Sequence, residues 1–167
     1  MTKDDNKRDA RIFYPDNRFE RMARRSGGVS RDAALKQAQE QIDAYKDNFA
    51  LWLDQQLQDL ELATAELASD PSSGRAHARV ERICSEIRDL GTTMGYELLT
   101  FAARSFCLVL DAFRDGAEHD KEILDCHLRA VLLASAPRYR DLRPDQVPEM
   151  IDGLQRIAAL TRKNTTT

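Results

Sequence analysis

The sequence predicts an all-α fold: an antiparallel up-and-down bundle of four to five helices, with a long first helix and a flexible N-terminal arm. Three observations predict it. Apolar residues recur at three- and four-residue steps through most of the chain, the period of helices with one buried face. The 7 glycines and 5 prolines fall mostly between those periodic segments, where connections belong. No stretch alternates apolar and polar residues over a useful length, so no strand is expected. At 167 residues the chain fits one domain with room for a real core. Its expected division is an arm over 1–29, a bundle over 30–162 and a frayed tail over 163–167.

Residues 1–29 lack sustained periodicity and end in "RRSGGVS", the mark of a mobile or locally packed arm. Its one apolar cluster, "RIFYP" (Arg11 to Pro15), is expected to dock on the bundle or to serve as a short docking motif. Ser30 is a good N-cap, and Asp32 sits in the first turn, where the helix dipole favours an acid. Apolar or small residues then recur at Leu35, Ala38, Ile42, Tyr45, Phe49, Leu53, Leu57, Leu60, Thr64 and Leu67. Nine steps over 32 residues lie close to the 3.6 period of a straight helix. One helix from about 30 to 69 follows, on the order of 60 Å long. Leu51 and Trp52 widen its stripe, and a helix of that length can overhang a small bundle and pair with a second copy.

"SDPSSG" breaks the pattern, with Asp70 and Pro71 expected as N-cap and first residue of the second helix. That helix turns Ala76, Val80, Ile83, Ile87, Leu90 and Met94 inward, and Gly91 and Gly95 are expected to loosen its end. The third, about 96–114, is apolar around most of its circumference (Leu98, Leu99, Phe101, Ala102, Phe106, Leu108, Val109, Leu110, Phe113), which marks a central, buried helix. Gly116 closes it near the C′ position. The fourth runs from a cap at Asp120 to Ala136, with Ile123, Leu124, Leu128, Val131 and Leu132 inward, and Pro137 stops it. The fifth, about 145–162, buries Val147, Met150, Ile151, Leu154 and Ile157.

Composition narrows the function classes. Net charge is −3, which argues against nucleic acid as the main partner. Residues 1–28 carry eight Lys/Arg against five Asp/Glu, a net +3 that leaves −6 on the remainder; a solvated arm on an acidic body is the plain reading. No apolar run approaches the roughly 20 residues that cross a bilayer, and "MTKDDNKRDARIFYP" has no apolar signal core. Cys84, Cys107 and Cys126 form an odd set without C-x-x-C spacing, read as small buried hydrophobes in a reducing compartment. The expected location is cytoplasmic, with no membrane partner.

Catalytic motifs are mostly absent: there is no P-loop, no G-x-S-x-G and no H-E-x-x-H. His77, His119 and His127 lack metal-ligand spacing, so no metal or cofactor is expected. His127 falls on the edge of an apolar stripe and reads as an interior or boundary histidine, and His119 as an exposed loop residue. The polar face of the first helix, "EQID" and "DQQLQDLE", would permit a Gln or Asp to orient water, and reads equally as a solvated face.

The second helix is more informative. With Ile83 inward, Ser85 lies about 200° around the helix at about 100° per residue, squarely outward. Glu81, Ser85, Arg88 and Thr92 follow at steps of four, three and four and form one outward stripe, with Gly95 ten residues after Ser85. "SEIRDLGTTMG" (Ser85 to Gly95) resembles the motif of histidine-phosphotransfer (HPt) domains, roughly H-x-x-K-G with a further glycine ten after the histidine. The resemblance covers about residues 71–136. It implies a helical bundle whose exposed histidine takes a phosphoryl group from an aspartyl phosphate on a response-regulator receiver domain. Here Ser85 stands where that histidine would be, Arg88 keeps the positive charge, Asp89 replaces the first glycine and Gly95 matches the last.

The departures decide what the resemblance predicts. A serine phosphate ester is too stable to hand its phosphoryl group on, and Asp89 adds negative charge where phosphate would arrive. The expectation is therefore a non-catalytic HPt-like bundle that binds a receiver domain or related signalling partner through Glu81, Ser85, Arg88, Thr92 and Gly95. The alternatives are a helical dimerisation or structural protein built on the long first helix, and a phosphatase-like helper of a receiver.

Overall fold

The computed structural model describes residues 28–164, the side chains of residues 46 and 47 excepted. The arm over residues 1–27, with "RIFYP", and the last three residues of the tail lie outside the described residues. Within them the chain is all-helical, with five α-helices: α1 (Arg31–Ser69), α2 (Gly74–Met94), α3 (Glu97–Arg114), α4 (Lys121–Ser135) and α5 (Pro148–Lys163). A 3₁₀ turn, Pro144–Gln146, precedes α5. No described helix is long and apolar enough to cross a membrane.

The chain divides into two units, residues 1–41 and 42–167. In the described part of the first, the Ser30 hydroxyl caps α1 by accepting from the Ala33 amide at 3.2 Å. Lys36 and Glu40 pair along its surface, and every side chain there is exposed, Leu35 included. In the second unit, Tyr45 is exposed too, and the stripe becomes buried only from Phe49 onward: Phe49, Leu53, Leu57, Leu60, Thr64 and Leu67. Leu35, Ala38 and Tyr45 therefore leave the predicted buried set. The Phe49 ring stacks on both Trp52 and Tyr96. Leu51, by contrast, is 72% exposed.

The start of α2 corrects the predicted cap. Asp70 Oδ1 accepts from the Ser72 amide and hydroxyl, at 3.2 and 2.7 Å. This side-chain turn two residues on competes with helix initiation. The helix begins only at Gly74, capped by Ser73, whose hydroxyl accepts from the Ala76 amide at 3.3 Å. Arg79 reaches back to Asp59 and Glu66 and ties α2 to α1.

The central helix is α3. Leu98, Leu99, Ala102, Phe106, Val109, Leu110 and Phe113 are buried among α2, α4 and α5. Leu108 is the departure from the predicted set, standing exposed on the outer edge. Asp120 caps α4 by accepting from the Glu122 amide at 2.7 Å. The interior side of α4 is formed by Leu124, His127, Ala130, Val131 and Ala134. Helix α5 contributes Leu154, Ala158 and Thr161, while Val147, Met150, Ile151 and Ile157 are half-buried.

Candidate functional site

The predicted stripe lies on the seam between α2 and α3. Four cross-helix contacts set the register: His77 to Leu110, Glu81 to Arg114, Ser85 to Cys107 and Thr92 to Thr100. From Glu81–Arg114 through Ser85–Cys107 to Thr92–Thr100, numbers rise along α2 as they fall along α3, so the two helices run in opposite directions.

The glycines make this hairpin. Gly91 is buried within α2, and a Cβ built on it would come 2.9 Å from the Thr100 hydroxyl, so its lack of a side chain lets α3 approach. It does not loosen the helix, as the sequence reading expected; the helix continues regularly to Met94. Gly95 ends it in the left-handed region at φ 81°, where glycine carries no Cβ penalty. The Tyr96 amide donates to the Gly91 carbonyl at 2.9 Å and the Gly95 amide to the Thr92 carbonyl at 3.2 Å, a Schellman closure.

Along the seam, Glu81, Ser85 and Arg88 are half-buried, and Thr92 and Gly95 are exposed. Ser85 is thus turned toward α3 rather than squarely outward; Arg82 and Asp89 hold the solvent-facing ridge. The shift follows from α3 packing against the flank of α2 that carries Cys84 as well as Ile87. Glu81 accepts from Arg114 Nη1 at 2.6 Å, and Arg114 also pairs with Asp111. Arg88 Nε donates to Asp89 Oδ1 at 2.8 Å, a bond that holds the Asp89 carboxyl below its usual range. The Thr92 hydroxyl donates to the Arg88 carbonyl at 3.0 Å.

Sequence reasoning missed the chemistry beside Ser85. The Ser85 hydroxyl lies 3.9 Å from Cys107 Sγ. A hydrogen bond from the Cys84 thiol, another from Ser85 and the charge of Arg88 bring the Cys107 thiol down to about 7, against opposing effects of burial and the Asp111 carboxylate. Burial, foremost, pushes the Cys84 thiol well above the usual thiol range. The register that would have found Cys107 was legible only once α2 and α3 were paired.

The histidines lie off the stripe's centre. His77 Nε2–H donates to the Leu110 carbonyl at 2.9 Å, and its Nδ1 is 3.9 Å from Glu81. His119 stacks on Phe113 and is partly buried rather than a free loop residue, and its Nδ1 has no hydrogen-bond partner. His119 also lines a cavity of about 460 Å³ between the start of α4 and α5, with Asp120, Lys121 and Thr161. His127 is fully buried: its Nδ1–H donates to the Ile123 carbonyl at 3.0 Å, and its Nε2 accepts from the Ser105 hydroxyl at 3.2 Å.

Chemically, Ser85 touches a thiol, and among the described residues no imidazole or carboxylate is hydrogen-bonded to it to serve as the usual base. Arg88 is engaged by Asp89, which leaves less of its charge for an incoming phosphate. Among the described residues no group of three or more His, Cys, Asp or Glu could hold a metal ion. No protein-family model, no curated protein and no solved structure matches this chain.

Proposed function

We propose that this chain is a non-catalytic, HPt-like up-and-down bundle, long in its first helix, that binds a response-regulator receiver domain in the cytoplasm. The observation that carries the reading is the α2–α3 hairpin, which gathers Ser85, Arg88 and Thr92 along one seam with Gly95 closing its end. The polar edge of that seam, with Glu81, Ser85 and Arg88 half-buried and Thr92 exposed, is open to a docking partner. The hydroxyl at the centre and the Arg88–Asp89 pair support docking without phosphoryl transfer. Titrating a panel of receiver domains, each with and without a phosphoryl mimic, tests it by calorimetry. A saturable complex is expected, weakened by Ser85→Glu and by Arg88→Glu in variants whose circular dichroism is unchanged. Binding indifferent to both substitutions, or no binding at all, would sink the reading.

One observation favours a second reading, self-association. Leu51 and Leu62 stand 72% and 64% exposed on α1. Eleven residues apart, they share a face at about 100° per residue. Pairing of that face with a second copy would cover both. Sedimentation at several concentrations decides: a dimer lost on Leu51→Asp with Leu62→Asp supports it, and a monomer throughout overturns it.

A further inference from the structure

Helices α3 and α5 pack against each other around a cleft of about 300 Å³. Each wall is a stripe of residues three and four apart, which share one helix face: Phe101 to Leu108 on α3 and Gln155 to Arg162 on α5. The hollow has a simple origin. Ala158 and Ala159 bring only methyl groups to a wall that meets Phe101 and Leu108, so Phe101 stays half-buried and Leu108 exposed. The charge of the cleft is one-sided. Arg104 and Arg162, both exposed, reach it from opposite walls, and neither pairs with a carboxylate among the described residues. No carboxylate lines it, although the chain as a whole carries −3. The Ser105 hydroxyl is committed to His127 Nε2, which leaves the two guanidiniums and the Gln155 amide as the side-chain donors. Past Leu108 and Arg162 the surface changes sign, because Asp111 and Asp115 line the neighbouring hollow and repel an anion there.

We propose that the α3–α5 cleft binds a medium-chain carboxylate, with its hydrocarbon chain on Phe101, Leu108 and Ala159 and its carboxylate held by Arg104 and Arg162. A guanidinium presents a planar fork of donors that matches a carboxylate, and the apolar floor gains by covering the chain. Size narrows the class further. The volume of about 300 Å³ lies at the low end of small-molecule sites, about 300–1,000 Å³. A partner helix, about 10–12 Å across with its side chains, is too broad for it. The cleft shares no residue with the Ser85 stripe on α2, so this inference stands independently of receiver binding.

Titration of the full, isotope-labelled chain with sodium octanoate, followed by two-dimensional amide NMR, tests the proposal. Saturable shifts are expected at amides 101–108 and 155–162. Lengthening the ligand from hexanoate to octanoate should tighten binding, by up to about fourfold per methylene. Octanol, which has the chain without the charge, and acetate, which has the charge without the chain, should both bind more weakly than octanoate. Arg104→Gln and Arg162→Gln, at exposed positions, should each weaken octanoate by about two- to fivefold. Ala159→Leu, also at an exposed position, should fill the cleft and abolish the shifts. Lys121→Gln, in the separate cavity beside His119, should leave the affinity unchanged. The proposal is overturned by the absence of saturable shifts, by equal binding of octanol and octanoate, or by shifts confined to the residues around His119. It is equally overturned if an acidic, leucine-rich helical peptide binds the cleft and octanoate does not.

Discussion

The Ser85 hydroxyl and the Cys107 sulfur face one another at 3.9 Å across the seam of α2 and α3. At the place where the HPt-like pattern wants a phosphate acceptor, the chain holds a hydroxyl whose neighbour is a thiol and not a base. Cys84, Ser85 and Arg88 together hold the Cys107 thiol below its ordinary range. How closely α2 and α3 approach can be probed by substitution.

Gly91 and Gly95 should fail differently when replaced by alanine. At Gly91 the new methyl group would meet the Thr100 hydroxyl at 2.9 Å. The overpacking cost, about 1–3 kcal/mol, outweighs the helix-propensity gain of about 1 kcal/mol. Chemical denaturation should show Gly91→Ala destabilised by about 1 kcal/mol, with Thr100→Ala in the same chain restoring most of the loss. At Gly95 nothing crowds the added carbon, but φ is 81°. Gly95→Ala should cost about 1–2 kcal/mol through backbone strain alone, and Thr100→Ala should not rescue it.

Stability should fall on mild acidification through His127. Burial lowers its proton affinity in the folded chain, with the Ile123 carbonyl opposing. Between the folded and unfolded pKa values the unfolded chain binds more protons, so stability rises with pH in that window. The contribution is fully present above the unfolded value of about 6.5 and is lost as pH falls through the folded one. His119, lowered by burial and by His77, adds in the same direction. Urea titrations at pH 7.5 and 5.5 should show a smaller loss for His127→Gln than for the unsubstituted chain.

Leu60 and Leu62, two residues apart on α1, should behave as opposites. Leu60 is completely buried and Leu62 is 64% exposed. Leu60→Ala should cost about 2–5 kcal/mol as a core cavity. Leu62→Ala should change the melting midpoint little, since an exposed truncation usually stays within about 0.5 kcal/mol. Equal losses at both positions would mean that Leu62 is covered in solution.

Much of the helical layout was legible because periodicity and punctuation agreed. Phe49 to Leu67 repeat at three and four, Asp120 caps α4, and α3 is apolar nearly all round. The failures were local competitions that periodicity does not see. Asp70 prefers its own turn with Ser72 over capping α2, and the α1 stripe extends past the partners able to bury it, leaving Tyr45 in water. For the site, the spacing placed Glu81, Ser85, Arg88 and Thr92 on one side of α2, but no periodicity on one helix reveals what the next helix sets against it. Cys107, Asp111 and Arg114 enter only through the pairing of α2 with α3.

The near-complete apolar circumference of α3 has a consequence for synthesis of the chain. When Arg114 leaves the ribosome, α2 already exists to cover part of α3, but α4 and α5 do not. About 50 further residues must be added before Lys163 is made, roughly 3–10 seconds at typical elongation rates. Through that interval Phe106, Val109 and Phe113 lack some of their eventual neighbours, and the nascent chain presents a sticky surface that its finished form never shows.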